Sequence, residues 1–507
     1  MKPIQSPLFV PALWEKEHFK ILDETLLPQQ VKYITVNELS EALRAVKEMK
    51  TRAFGQVLTF LYAAALVARG YKTRDPEPLK LRLVQLAEEF TQARPTFDFK
   101  GLAKYFDPWF REFPPGKETG SWFEGKIHEL VSIIQRTREE RARRAAELLP
   151  NPCRLLTHCN ISGELVVVAE WCREMGKELQ IMATETRPYL QGSRLTAWEV
   201  AQAGIQVALI PDCAVAHVMA KGEINAVLVG ADRCAQNGDI INKVGTYPIA
   251  LMAKTHGIPF YVLVQDPGPL VKGEDVVIEE RPVSELFTFQ GRSCVPEGLQ
   301  GRYPAFDLTP ASLISSLIGF DGTFTPERFR QRFHKASPAA RNGKEKKEPY
   351  LLLYGIPKRN SYSYLAHALK AEEVSTVLVP EMRPELWGVH VIIRELLQRN
   401  ISTTLISDNM MGAFFAQGQI KRLCFFYSEL GEKGPVGICG SLLAVQLARA
   451  HGVPVELLEA EAVRESPLDR DASTFLGQKV SPDGVLIYPI EREVLPWSLF
   501  KENKADI

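Results

Sequence analysis

The spacing of apolar residues divides the chain into two textures. Up to about residue 150, apolar positions recur at three and four, the spacing of a helix face. Val36–Met49 (VNELSEALRAVKEM) is one such stretch, with Asn37 where a helix cap belongs. Gln56–Arg69 is small and apolar nearly all round, as a buried helix is. Pro78–Ala93 and Trp122–Leu149 complete an N-terminal helical domain over residues 1–150. The last helix turns charge-dense at RTREERARRAAELL, which reads as a solvated face rather than a nucleic-acid contact.

From Arg154 onward, short apolar runs (LLTHC, QIMAT, VALIP, AVLVG, FYVLV) alternate with helical stretches of roughly 10–15 residues. That alternation predicts βαβ units and a parallel sheet with helices on both faces, over residues 151–330. A polar stretch, HKASPAARNGKEKKEP, predicts an exposed linker at 331–349. The strand-like runs then resume as YLLLYG, TVLVP, TTLIS, LCFFYS and VELLE within residues 350–507. The fold class expected is α/β: a helical domain followed by two Rossmann-like parallel-sheet domains.

The two sheet-forming stretches are related. Glu185-x-Arg187-Pro188-x-Leu190-x-Gly192 recurs 196 residues on (187 to 383) as Glu381-x-Arg383-Pro384-x-Leu386-x-Gly388. The register holds through Asp212/Asp408, Gly222/Gly418 and Ile224/Ile420. After the loss of one residue, Gly245 matches Gly440, and His256-Gly257-x-Pro259 matches His451-Gly452-x-Pro454. The C-terminal stretch therefore reads as a diverged second copy of the βαβ domain.

Composition narrows the function classes. Lys+Arg and Asp+Glu are both 61, so a broad electrostatic surface for nucleic acid or membrane is not expected. The eight cysteines include no C-x-x-C pair and no cluster at zinc spacing. The first residues hold no continuous apolar core like that of a secretory signal, and the longest apolar run, Val57–Ala68, is too short to span a bilayer. The expectation is a cytoplasmic protein with reduced thiols, no metal and no membrane or nucleic-acid partner.

Three polar clusters close apolar strands in the first copy. In Thr157-His158-Cys159-Asn160, the cysteine stands between His and Asn at a strand end, and Ser162-Gly163 precedes a helix whose backbone N–H groups could meet a phosphate. Thr184–Gly192 contains Gln191, which does not recur; Trp387 stands there in the second copy. Glu185 and Arg187 do recur and read as a structural pair within a tight turn. The densest cluster runs from Asp232 to Thr246. Desolvation at a strand end can raise the Asp232 pKa, and Asn242 and Lys243 suit an anionic or hydroxyl-rich ligand.

These residues, in this order, resemble the methylthioribose-1-phosphate isomerases, relatives of the regulatory subunits of translation initiation factor 2B. The carrying motifs are Leu22-Asp23-Glu24-Thr25-Leu26-Leu27-Pro28, Arg94-Pro95-Thr96, THCN at 157–160, ETRPYLQGSRLTAWE at 185–199, GADRCAQNGDIINKVGT at 230–246 and Pro304-Ala305-Phe306-Asp307-Leu308-Thr309-Pro310. The resemblance implies an aldose–ketose isomerase that converts 5-methylthioribose 1-phosphate to 5-methylthioribulose 1-phosphate in methionine salvage. It implies Cys159 and Asp232 as the catalytic pair, with substrate contacts at Arg52, Ala53, Arg94, Gln191, Asn242 and Lys243. The family's Arg-Gly-Ala phosphate contact reads Arg52-Ala53-Phe54 here, which reshapes that wall.

No cofactor is implied, since no metal ligand set or dinucleotide glycine fingerprint stands in the chain. Opposite Cys159, Asp232, Asn242 and Lys243 the second copy carries Gly355, Ser428, Gly437 and Ile438, so it is expected to be catalytically silent. The family's homodimers suggest that the tail replaces a partner in an intrachain pseudo-dimer, the alternative being a homodimer. Two further readings remain: an isomerase of ribose 1,5-bisphosphate or a 5-deoxyribose 1-phosphate, and a non-catalytic regulatory protein sensing sugar phosphates or nucleotides.

Overall fold

The computed structural model describes residues 6–95, 97–333, 348–461, 469–489 and 492–500. Thr96 and most of the expected linker, 334–347, lie outside the described residues. The chain forms two compact units, one built from residues up to Ala146 with Ile161–Trp171, the other from Glu147–Asn160 and from Cys172 onward.

The first unit opens with a three-stranded antiparallel sheet: β1 (Ala12–Glu15), β2 (His18–Leu22) and β3 (Tyr33–Val36). The expectation of a purely helical domain is corrected, because Phe19 and Ile21 alternate into the core as strand residues do. Val36 closes β3, so the next helix, α1 (Leu39–Lys47), begins later than the apolar spacing predicts. Its cap comes from Glu41, which accepts from the backbone N–H groups of Asn37 and Glu38 at 2.8 and 3.1 Å. Helix α2 (Phe54–Arg69) is buried nearly all round, and its Phe60 packs on Phe90 of α3 (Glu77–Ala93) with ring centroids 5.3 Å apart.

The long helix Thr119–Leu148 carries the charge-dense run; Arg136, Glu139, Glu140 and Glu147 are exposed as a solvated face requires, and that reading is corrected at Arg138 and Arg141. Arg138 and Arg141 are buried because each sends its Nε to a different oxygen of Glu164, both at 2.9 Å. The Arg138 guanidinium also lies 4.3 Å from the Phe9 ring centroid and 3.8 Å from that of Phe54.

In the second unit, five strands form the centre of the first sheet. They are β4 (Cys153–Thr157), β5 (Leu179–Thr184), β6 (Val207–Ile210), β7 (Ala226–Gly230) and, after the short β8 (Arg233–Cys234) and β9 (Ile240–Lys243), β10 (Phe260–Leu263). They run parallel in the order β10-β7-β4-β5-β6. The loops that follow β7, β4 and β5 therefore stand side by side at the carboxyl end, where α/β sheets place their ligands. Helix Pro326–Phe333 runs into the span expected to be linker, because Phe329 and Phe333 pack on one another behind Phe324.

A second parallel sheet is built from Tyr350–Tyr354, Thr376–Pro380, Thr403–Ile406, Ile420–Tyr427 and Val455–Glu459, in the corresponding order. The two sheets share one continuous core and exchange edge strands. Gln300 and Gly301 pair with Thr404 and Leu405 of the second sheet; Leu486 and Ile487 pair with Ala208 and Leu209 of the first. Buried arginines reciprocate in the same way. Arg187 Nε donates to Glu381 at 2.9 Å and Arg383 Nε to Glu185 at 3.0 Å. The expected pairing of Glu185 with Arg187 inside one turn is thus corrected: each reaches across to the other sheet. Arg187-Pro188 and Arg383-Pro384 are both cis. Among the described residues, no helix is long and apolar enough to cross a membrane.

Candidate active site

The central loop begins one residue past β4. His158 is fully buried, and its Nε2 lies 2.9 Å from the Val244 carbonyl. A carbonyl only accepts, so Nε2 carries the proton and Nδ1 accepts from the Thr184 hydroxyl at 2.7 Å. Burial holds the imidazole pKa down at about 4. Cys159 then turns into the left-handed region, φ 64°. Its N–H donates to Thr186 Oγ1 at 2.9 Å, its carbonyl accepts from the Thr196 hydroxyl, and its side of the turn stays partly exposed. A non-glycine residue held at positive φ is uncommon, and it aims this cysteine away from the strand direction. Asn160 is anchored beside it, donating to Thr196 Oγ1 at 3.0 Å and Glu199 at 2.7 Å.

The loop after β5 is tied down by Asp212. Its two oxygens accept from the backbone N–H groups of Thr186 and Arg187, both at 2.7 Å. Burial nonetheless pushes the Asp212 pKa up to about 8, with Glu185 adding to the rise and those N–H groups opposing it. The loop delivers Gln191 to the start of a π-helix, Gly192–Ala197. Gln191 is buried, and its Oε1 accepts no hydrogen bond among the described residues. Gly192 is required here because a Cβ would lie 1.7 Å from the Thr184 carbonyl oxygen.

The loop after β7 presents Asp232 at an exposed position, its backbone carbonyl accepting from Gln265 Nε2 at 2.6 Å. The expectation of a buried strand-end carboxyl is corrected: Asp232 stands exposed. Asn242 and Lys243 lie on β9, both buried. Asn242 Nδ2 donates to Thr246 Oγ1 at 2.9 Å, and Lys243 Nζ lies 4.8 Å from the Phe306 ring centroid and 5.8 Å from that of Tyr189. The turn after them is pinned by Asp307, which accepts from Gly245 N–H at 2.7 Å and Tyr247 N–H at 3.1 Å. Burial pushes Asp307 up to about 8 against these backbone donors and Lys243.

In the first unit, Arg52 and Ala53 form the turn into α2. Glu24 holds that turn, accepting from Thr51 Oγ1 at 2.8 Å and from Arg52 N–H at 2.9 Å, which gives the Leu22–Pro28 motif a structural purpose. Ala53 sits at φ 41°, and the Phe54 ring is committed to Arg138. Arg94 caps α3, its N–H donating to Phe90 O at 2.9 Å. Gly163 is not a phosphate cradle: a Cβ there would lie 2.2 Å from Phe9 N, so the room its absence leaves is filled by the protein's own backbone.

Sequence reasoning passed over Thr186, Asp212 and Asp307 as site supports. Asp212 carried a signal, since its counterpart Asp408 accepts from Met382 and Arg383 N–H at 2.9 and 2.8 Å. Asp307 carried a weaker one: Glu493, which accepts from Gly440 and Leu442 N–H, corresponds to it in a register the earlier motifs do not share.

His158 makes the pH response testable. Its pKa is lower in the folded chain (about 4) than the ordinary 6.5, so the folded state binds fewer protons between those values. Its contribution is present above pH 6.5 and lost as pH falls through 4, about 3 kcal/mol in all. Urea unfolding at stepped pH is expected to show stability falling more steeply in the wild type than in His158→Gln over that window. Parallel curves would refute the assignment.

The Initiation factor 2 subunit family model matches residues 55–326 and 351–424. A methylthioribose-1-phosphate isomerase of Desulforudis audaxviator is 38% identical over 340 residues, covering 62% of this chain and 93% of that protein. One from Dehalococcoides mccartyi is 36% identical, covering 62% of this chain and 98% of its own. Among solved structures, 5-methylthioribose 1-phosphate isomerase from Pyrococcus horikoshii superimposes with a TM-score of 0.57 at 28% identity, covering 66% of this chain and 99% of that one. The delta subunit of translation initiation factor eIF-2B from A. fulgidus gives 0.54 at 33% identity, covering 62% and 96%. On the extent of these matches, the chain belongs to the initiation factor 2 subunit family.

Proposed function

We propose that this chain is a cytoplasmic aldose–ketose isomerase converting 5-methylthioribose 1-phosphate to 5-methylthioribulose 1-phosphate. The observation that carries the reading is the polar set Cys159, Gln191 and Asp232 on neighbouring strand-end loops, with Asn242 and Lys243 on β9, in a chain that matches proteins named for this reaction along nearly their whole length. Asp232 is assigned to the oxygens: it gives a proton to the ring oxygen as the C1–O bond opens, and later takes one from the C2 hydroxyl. Cys159, as thiolate, takes the C2 proton and returns it at C1, leaving the C2 ketone. Lys243 is assigned to the phosphate and Gln191 and Asn242 to sugar hydroxyls; Arg52, Ala53 and Arg94 are assigned to the phosphate by the resemblance to the family. The unpartnered Gln191 Oε1 supports that role, since a buried acceptor without a donor is costly unless a ligand supplies one.

The domain plan belongs to the same proposal: residues 1–150, a catalytic βαβ domain at 151–330, a linker at 331–349 and a degenerate copy at 350–507. Support comes from the exchanged edge strands and the reciprocal arginines, which relate the two sheets as a two-fold axis relates subunits. The tail then acts as a built-in partner.

The test is an assay of the purified chain on 5-methylthioribose 1-phosphate, ribose 1,5-bisphosphate and a 5-deoxyribose 1-phosphate, following ketose formation. Turnover of the first is expected, from a particle that light scattering weighs as one chain. Preference for another sugar would reassign the substrate. Binding without turnover of any would favour a sugar-phosphate sensor, the reading that the likeness to an eIF-2B subunit offers.

A further inference from the structure

The surface shared by the two sheets is symmetric in backbone but not in chemistry. Asn409, from the second sheet, reaches across it. Its Nδ2 donates to the Arg187 carbonyl at 2.9 Å and to the Val244 carbonyl at 3.2 Å. Val244 O also receives the His158 proton, so one carbonyl joins Asn409 to the residue beside Cys159 and lies next to Lys243. Arg187 O lies in the loop that delivers Gln191. One buried amide from the second sheet therefore braces two of the three site loops.

The mirror position is Cys213, facing the second sheet's loops. Its thiol lies 3.4 Å from the Arg383 carbonyl and 3.6 Å from Cys439 Sγ, and thiols are weak donors. A second asymmetry points the same way. Tyr247 OH, on the helix after Lys243, meets His451 Nε2 at 2.8 Å, whereas Leu442 stands in the mirror position of Tyr247. Among the described residues, the Asn409 amide and the His451 ring reach the loops and helix around Cys159, Gln191 and Lys243, whereas the opposite direction carries only the weaker Cys213 thiol contact and a longer His256–Gln446 contact at 3.4 Å.

We propose that Asn409 is a positioning residue for the site of the first sheet, supplied by the half of the unit that has lost its own catalytic side chains. The amide fixes where Val244 O and Arg187 O stand, and through them the Cys159 turn, Lys243 and Gln191. This rests on the isomerase reading for its activity readout, though not for its structural one.

The experiment compares wild type, Asn409→Ala and Cys213→Ala as full-length chains. With 5-methylthioribose 1-phosphate, Asn409→Ala is expected to lower kcat about 10- to 100-fold, as a displacement near 1 Å would. Cys213→Ala, which removes the mirror side chain, is expected to leave kcat within about twofold. The pH profile of Cys159 alkylation by iodoacetamide, read by peptide mass spectrometry, is expected to shift in Asn409→Ala and not in Cys213→Ala. Equal loss in both variants, or an unchanged kcat and alkylation profile in Asn409→Ala, overturns the proposal. If the wild type turns over no sugar phosphate, the isomerase reading falls and the alkylation profiles alone decide the role of Asn409.

Discussion

Cys159→Ser and Asp232→Asn are each expected to lower kcat on 5-methylthioribose 1-phosphate by about 100- to 10,000-fold, the range associated with loss of a positioned acid or base. Neither change should disturb folding. Serine fits the Cys159 turn because backbone bonds to Thr186 and Thr196 hold that turn. Asp232 is exposed, so an isosteric amide there stands in solvent. Urea midpoints are therefore expected to stay near wild type while turnover collapses. KM should move little, since neither residue is assigned to the phosphate. Turnover retained in either variant would remove that residue from the chemistry and reopen the sensor reading.

The second large effect concerns stability. Glu185→Ala is expected to destabilise the second unit by about 3–5 kcal/mol, because it leaves the Arg383 charge buried without its carboxylate. Both side chains are almost fully enclosed, and Arg383 contacts Glu185 through Nε at 3.0 Å and Nη2 at 2.8 Å. Burial works against the Arg383 charge, yet Glu185 outweighs it and holds the guanidinium protonated. The double variant Glu185→Met/Arg383→Met should recover most of the loss, since an apolar pair of similar volume avoids the desolvation penalty. Urea unfolding decides the matter: a small loss in the single variant, or no recovery in the double, would show that the pair is not the constraint its burial implies.

Much of the fold was legible in the apolar pattern. The runs VALIP, AVLVG and FYVLV contain the observed strands, and LLTHC and QIMAT overlap theirs, because buried parallel strands are near-continuously apolar. The small three-stranded sheet of the first unit was not legible: β3 ends at Val36, where its apolar residue fits the helical spacing that follows equally well. Arg138 and Arg141 misled for a similar reason. Their spacing matches a solvated face, and only Glu164, distant in sequence, makes their burial tolerable.

For the site, the sequence by itself determined which residue types stand at which strand ends: Cys159 after β4, Gln191 after β5, and Asp232 with Asn242 and Lys243 after β7. It determined the repeat of the Glu-x-Arg-Pro motif as well, because a pattern of identities survives in linear order. Tertiary structure alone decided the partners. Glu185 pairs with Arg383 and not with its neighbour Arg187, and Asn409 braces Arg187 and Val244 from the far sheet. It also placed Asp232 in solvent. Burial and hydrogen bonding depend on what the folded chain brings within about 3 Å, and separations of about 200 residues along the chain carry no trace of that distance.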